Sequence, residues 1–367
     1  MSVELCRTLV KLGFATPESI AIEAAKKQLQ AATDQQWEQC LATLGLHRLS
    51  PLVYYGLEVA GLTSVVPKSY LDRLQATYQS TLKRNKIFLL TLDALLQRMQ
   101  ARDLHPTIWK GIALADSFYP NPGTRPMGDL DFAIVPEEME EATRVFQSLG
   151  FHLDNQAETD DAVYFVNPMG VKCDVHHRVR LFEGIEPTSL VTQLNPRHLQ
   201  VDTLQVLDPS ATLVHLVVHM DGHRHDTGPL LSWILDIAFV LRKWGDRINL
   251  ARVEAMMPDK IHWVSLMRSL RFLETELGET LPESLASAAR EFAPLTLAEI
   301  LRQRRLALWG LPHLRGWLRL GSSQVDSQLR LQRPALVADD LLLWVGDIWR
   351  QRRTLWAIDN GQLTMDN

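Results

Sequence analysis

Residues 120–128 constrain this chain most, because they carry Pro120, Pro122, Pro126, Gly123 and Gly128 within nine positions. Proline fixes φ and lacks an amide proton, so the stretch neither continues a helix nor joins a central strand. The chain must end one element before it and start another after it. Before it stand a short extended run, Thr107-Ile108-Trp109, a turn at Lys110-Gly111, and an apolar helical segment from Ile112 to Tyr119. After it comes Asp129-Leu130-Asp131-Phe132-Ala133-Ile134-Val135, where strand-forming apolar residues follow two carboxylates. On a strand, side chains at i and i+2 share a face, roughly 6.5–7 Å apart along the chain. Asp129 and Asp131 are therefore expected to point the same way.

Two carboxylates so placed suit one metal-bound phosphate group. Phosphoryl and nucleotidyl transfer spreads negative charge over the reacting phosphate, and Mg²⁺ held by carboxylates neutralises it while aligning the attacking and leaving oxygens. Mg²⁺ takes hard oxygen ligands and keeps some water, so one or two carboxylates plus the substrate phosphates suffice. A lone D-x-D also arises by chance, as two solvated acids at the start of a strand. Here it is joined by the strand-Gly-helix turn upstream and by Asp174 downstream. Around Asp174, Val171, Cys173, Val175 and His177 alternate with Lys172, Asp174, His176 and Arg178, the pattern of a strand with one apolar face and one polar face. That polar face is either plainly solvated or paired beside Asp129 and Asp131. In the second case three carboxylates converge, and Asp174 can share a metal and accept a proton.

Lys110-Gly111 opening a helix, Arg125 with Asp129-x-Asp131, and Asp174-Val175-His176 together resemble the nucleotidyltransferase fold, and within it the uncharacterised nucleotidyltransferase family. The resemblance spans residues 104 to 180 and loosely reaches the flanks. It implies an α+β fold, a small mixed sheet with helical regions on either side. It implies Asp129, Asp131 and Asp174 as ligands of Mg²⁺ or Mn²⁺, and a nucleotide site at Lys110, Gly111, Arg125 and Gly128. The implied reaction moves a nucleoside monophosphate from a triphosphate such as ATP to the hydroxyl of a small-molecule, peptide or protein acceptor, releasing pyrophosphate. Gly111 is followed by Ile112 rather than the wider superfamily's usual serine or glycine, so Arg125 or Lys110 is expected to replace a phosphate-binding hydroxyl. Two other readings stay in view. A D-x-D glycosyltransferase would hold a sugar nucleotide, but residues 1 to 101 look helical throughout rather than alternating strand and helix. A non-catalytic regulator of the same fold would have little reason to keep three carboxylates.

The flanks read as helices. Thr16-Pro17-Glu18 is a helix start, Thr33 to Gln36 a capping box, and Ser50-Pro51 a further start. From Pro67 an apolar stripe runs to Gln100, long enough that a break is expected near residues 83–86. Pro136 opens a helix ending at Gly150, and short strands follow at 151–153 and 162–166. From Pro209 the pattern is helical again, with later segments at 261–277, 297–308 and 335–355. The expected regions are 1–84, a catalytic core at 85–205, and 206–367.

His215, His219 and His223 stand four apart, with Asp221, His225 and Asp226 close by. They fit a transition-metal site, a set of core or lining residues, or a substrate-contacting loop before the helix that carries Trp233 and Asp236. Lys172, His176, His219 and His223 are thus candidate substrate-lining residues. Arg302, Arg304, Arg305, Arg315 and Arg319, interleaved with Trp309 and Trp317, read either as an exposed helix face or as a patch for an acidic acceptor.

The formal net charge of −5 over 367 residues disfavours generic nucleic-acid binding, which needs a basic surplus. Cys6, Cys40 and Cys173 lack motif spacing, so neither zinc nor a disulfide framework is expected. Longer apolar runs such as Leu341 to Val345 are too short to span a bilayer, and no secretory signal opens the chain. A cytoplasmic location without membrane contact is the expectation.

Overall fold

The computed structural model describes residues 2–14, 21–154, 159, 161–223 and 230–292. The expectations placed on Thr16 to Glu18, on His225 and Asp226, on the segments 297–308 and 335–355, and on the arginine cluster lie outside the described residues. So does the run Leu341 to Val345.

Four helices open the chain: α1 (Ser2–Phe14), α2 (Ile22–Ala31), α3 (Asp34–Leu46) and α4 (Ser50–Val59). The capping box forms as read, with Thr33 Oγ1 accepting from Gln36 N and Gln36 Oε1 accepting from Thr33 N at 2.8 Å. Helices α1 and α4 touch backbone to backbone at Gly56, where an added Cβ would overlap the Leu12 carbonyl. Contrary to the cysteine reading, Cys6 and Cys40 are paired as a disulfide, with Cα atoms 5.5 Å apart. Packing of α1 on α3 brings together two positions 34 apart in sequence, which no motif spacing reveals. Cys173 is free and buried.

Helix α5 (Lys68–Gln100) runs unbroken for 33 residues, about 50 Å at 1.5 Å per residue. The break expected near residues 83–86 is absent. Lys83, Arg84 and Lys86 lie on the exposed side, while Asn85 between them is fully buried and donates to the carbonyls of Pro122 (2.6 Å) and Arg125 (2.8 Å). The polar cluster thus marks a face of the helix and a tether for the proline-rich loop.

The sheet follows: β1 (Thr107–Trp109), α6 (Lys110–Ser117), β2 (Leu130–Ala133), α7 (Met139–Ser148), β3 (His152–Leu153), β4 (Ala162–Val166) and β5 (Lys172–His176). Its strand order is β1-β2-β5-β4-β3, with β2 and β5 parallel and every other pair antiparallel. Phe132 and Phe165 point to one face, where Phe146 of α7 meets their rings at 5.6 and 4.4 Å. That face is core. The opposite face carries Asp131 and Asp174.

A second sheet, the hairpin β6 (Val191–Leu194) and β7 (Leu204–Leu207), stands beside β1, where Gln205 donates to Thr107 Oγ1 at 3.0 Å. Then come α8 (Pro209–Gly222), α9 (Leu231–Trp244), α10 (Leu250–Met256), α11 (Lys260–Phe272) and α12 (Glu283–Glu291). The arrangement is α+β, as expected. Met1–Leu216 with Leu230–Met256 form one compact unit, and the described residues from Val217 and from Met257 onward belong to another. Within the latter, Asp259 caps α11 by accepting from the amides of Ile261 and His262. Among the described residues no helix is long and apolar enough to cross a membrane.

Candidate functional site

Alternation along β2 and β5 builds the site. Leu130, Phe132, Cys173 and Val175 turn into the core, so Asp131 and Asp174 turn the other way. Parallel pairing sets Asp131 directly opposite Asp174, and His176 opposite Ala133. Ligand atoms of Asp131, Asp174 and His176 all lie within 4.8 Å of one another. Asp129 sits one residue before β2 rather than on it. Its desolvation, reinforced by the charge on Asp131, pushes its carboxyl up to about 6 despite the nearby Lys110.

Lys110 stands at the turn between β1 and α6 with φ +48°, a left-handed conformation uncommon for lysine. Its Nζ donates to Asp131 Oδ1 at 2.9 Å, with both side chains largely buried. Burial pulls the ammonium pKa down, but Asp131, Asp174 and Asp129 outweigh it and the net shift is upward. One ammonium therefore faces three carboxylates. Asp174 Oδ1 is buried with no hydrogen-bond partner. His176 Nε2, 3.1 Å from Asp174 Oδ2 but out of hydrogen-bonding alignment, is likewise buried and unpartnered. An orphaned carboxylate oxygen among excess negative charge fits a divalent cation, and the carboxylate oxygens are donors that suit Mg²⁺ or Mn²⁺, whereas the His176 imidazole beside them is not a Mg²⁺ donor.

The Lys110-Gly111 turn is crowded from below. A Cβ on Gly111 would lie 3.3 Å from Arg125 Nη1 and from Met127 Cβ, so the glycine admits the guanidinium to this turn. Arg125 is clamped by Asp236 of α9 through Nε–Oδ1 (2.8 Å) and Nη2–Oδ2 (2.7 Å), and the Tyr119 hydroxyl donates to the same carboxylate at 2.7 Å. Burial disfavours the guanidinium charge, but Asp236 more than restores it and the pKa is raised. Asp236 thus fixes Arg125 in a bidentate fork and leaves Nη1 directed at Gly111.

The uncharacterised nucleotidyltransferase family model matches residues 33–260. The chain belongs to that family. The match covers the helices α3 to α5, the sheet, the hairpin and the helices α8 to α10. No curated protein sequence matches the chain. Among solved structures it is similar to the crystal structure of ANT(2″)-Ia in complex with adenylyl-2″-tobramycin, at 15% identity, over 47% of this chain and 95% of that one, with a TM-score of 0.37. It is also similar to an antigenic nucleotidyltransferase-like protein from Paracoccidioides brasiliensis, at 15% identity, over 55% and 95% of the two chains, with a TM-score of 0.37.

Of the residues picked from the sequence of this family member, Asp131, Asp174, Lys110 and His176 cluster, Asp129 acts on Lys110 through its charge but is not among the clustered ligand atoms, and Arg125 meets Gly111. Lys172 is exposed at the start of β5. Gly128 is exposed, its carbonyl accepting from Arg84 at 3.3 Å. His219 and His223 meet edge to face at 4.7 Å in the second unit. His215 instead stacks on Trp109 at 4.8 Å in the first. Sequence reasoning missed the work of Asn85, Tyr119 and Asp236. The available signal for Asp236 was a lone acid inside the apolar run of α9, where every residue from Trp233 to Leu241 is buried.

Proposed function

We propose that this protein is a metal-dependent nucleotidyltransferase that moves a nucleoside monophosphate from a nucleoside triphosphate to an acceptor hydroxyl. The observation that carries the reading is Asp174, opposite Asp131 on a parallel strand, with a buried and unpartnered Oδ1, in a chain of this family. Asp129, Asp131 and Asp174 would hold Mg²⁺ or Mn²⁺, which when bound would neutralise the triphosphate charge and lower the cost of its approach. Lys110 and Arg125 Nη1, at the Gly111 turn, steady the phosphates. The acceptor oxygen attacks the α-phosphorus, the bond from that phosphorus to the bridging β-phosphate oxygen breaks, and pyrophosphate leaves. Asp174 takes the hydroxyl proton.

Family membership favours this chemistry over sugar transfer, and the two are separable. Purified protein would be incubated with Mg²⁺, cell extract and each triphosphate labelled at the α-phosphate. Label in the product with release of pyrophosphate is expected. A mass gain equal to a bare hexose, with free nucleoside diphosphate, would sink the proposal.

A further inference from the structure

A cavity of about 330 Å³ opens beside the carboxylates, on the same face of the sheet. Strand parity gives its place. Ala133 is two residues beyond Asp131 and His176 two beyond Asp174, so both continue the carboxylate face, and Thr107 lies opposite Ala133. All three line the cavity, together with Trp109. Its floor therefore begins one side-chain pair, roughly 6.5–7 Å, past the carboxylates. Because β1 runs antiparallel to β2, Gly111 lies beyond the opposite end, past Trp109 and its partner Asp131. The phosphate-side turn and the cavity thus flank the carboxylates on opposite sides.

The walls define the occupant. Val179, Phe182, Ile185, Leu190 and Leu207 make them apolar, with the hairpin as one side. Glu138 is the only carboxylate among the described lining residues, and no lysine or arginine occurs there. The other polar groups of the lining include the imidazoles of His105, His176 and His177, so it offers a single carboxylate to a polycation and no permanently charged cation to a phosphate. The volume is at the small end of the range of ~300–1,000 Å³ for small-molecule pockets, too little for a folded peptide or a polynucleotide. His176 stands at the junction, lining the cavity while its unpartnered Nε2 lies beside Asp174.

Resting on the nucleotidyltransferase reading, we infer that this cavity receives the acceptor, a small uncharged molecule with an apolar body whose hydroxyl reaches His176 and Asp174. Trp109, stacked on His215 and edge-on to His176 at 5.2 Å, is buried and closes the cavity at that end. Val179 and Ile185, half-buried lining residues outside the carboxylate cluster, are the positions to fill.

The test uses the full chain and 2-naphthol as probe, followed by saturation-transfer NMR, with triphosphate affinity measured in parallel by calorimetry with Mg²⁺. Naphthol should bind the wild type and remain bound when triphosphate is added. Val179→Trp and Ile185→Trp should each weaken naphthol by about tenfold or more while triphosphate affinity stays within about threefold, thermal melting confirming that each is folded. No naphthol binding to the wild type would overturn the inference, as would undiminished binding in both variants. Displacement of naphthol by triphosphate would make the cavity a base pocket and overturn it too. Spermidine binding that the same substitutions abolish would refute the uncharged, apolar assignment. Absence of any Mg²⁺-dependent triphosphate binding would instead defeat the nucleotidyltransferase reading, whatever naphthol does.

Discussion

Lys110 Nζ lies 2.9 Å from Asp131 Oδ1, across 21 residues of chain, while the Lys110 backbone holds φ +48°. A left-handed lysine costs on the order of 1 kcal/mol and persists only where its surroundings over-determine it. Here the surroundings are three carboxylates that a protein without bound cation has to tolerate. The ammonium makes that possible, and it marks where a triphosphate and its cation would take over the same work.

Replacing Lys110 should therefore be costly only without metal. Lys110→Met leaves Asp131 buried and uncompensated, a loss of about 3 kcal/mol by the usual scale for breaking a buried pair. Asp131→Ala should cost less, because Asp174 and Asp129 still face Lys110, and half-buried Asp129→Ala should cost least. Urea unfolding with and without Mg²⁺ checks this. A Lys110→Met midpoint equal to wild type in metal-free buffer would remove the ion pair from the stability of the site.

Divalent-ion affinity should rise with pH through about 6, where Asp129 loses its proton in the folded protein. The folded pKa lies above the ordinary 3.8, so the folded state holds a proton that the unfolded chain releases. Relative to the unfolded chain, this group's contribution to stability is fully present below that ordinary value and is lost as pH rises through about 6, absent metal. Mn²⁺ titrated calorimetrically between pH 5 and 7.5 should tighten across this window, and Asp129→Asn should flatten the profile. A profile as steep in the variant as in the wild type would assign the proton elsewhere.

Asp174→Asn should separate binding from turnover. The amide keeps the shape but cannot take the acceptor proton, so triphosphate should still bind while the rate falls by roughly 10²–10⁴. Near wild-type turnover in a single-turnover assay would exclude Asp174 as the base.

Asp236→Asn should release Arg125 from its fork. The buried guanidinium would keep at most one of its two carboxylate bonds, and stability should fall by about 3 kcal/mol. If Arg125 also steadies the triphosphate, the variant's KM for nucleotide should rise more than its kcat falls. A loss of stability with both kinetic constants unchanged would make the clamp purely structural.

The sheet was legible because its strands alternate so plainly: Val171 to His177 predicts both the core face of β5 and the direction of Asp174. Other features were hidden for identifiable reasons. Lys83, Arg84 and Lys86 look like a helix break until Asn85 is seen reaching a loop 37 residues away. The hairpin β6–β7 is joined by residues 195–203, longer than the two to five residues of common hairpin loops, so no turn signal announced it. Asp236 reads as one acid in an apolar helix, and its partner Arg125 lies 111 residues upstream. In each case the missing information was a long-range contact, which local periodicity does not contain.

Helix α5 has a consequence for anyone who would trim this protein. Tyr78 lies against Tyr54 of α4 at 5.2 Å and donates to Asn121 at 3.2 Å, and Asn85, two turns on, holds Pro122 and Arg125. One rigid rod thus splints the amino-terminal helices to the loop that presents Arg125. A chain begun beyond Asn85 would retain Asp129, Asp131 and Asp174 and lose the anchorage on which their guanidinium neighbour depends. It should bind metal and handle nucleotide poorly, which makes the helices that carry no chemistry part of the apparatus that delivers it.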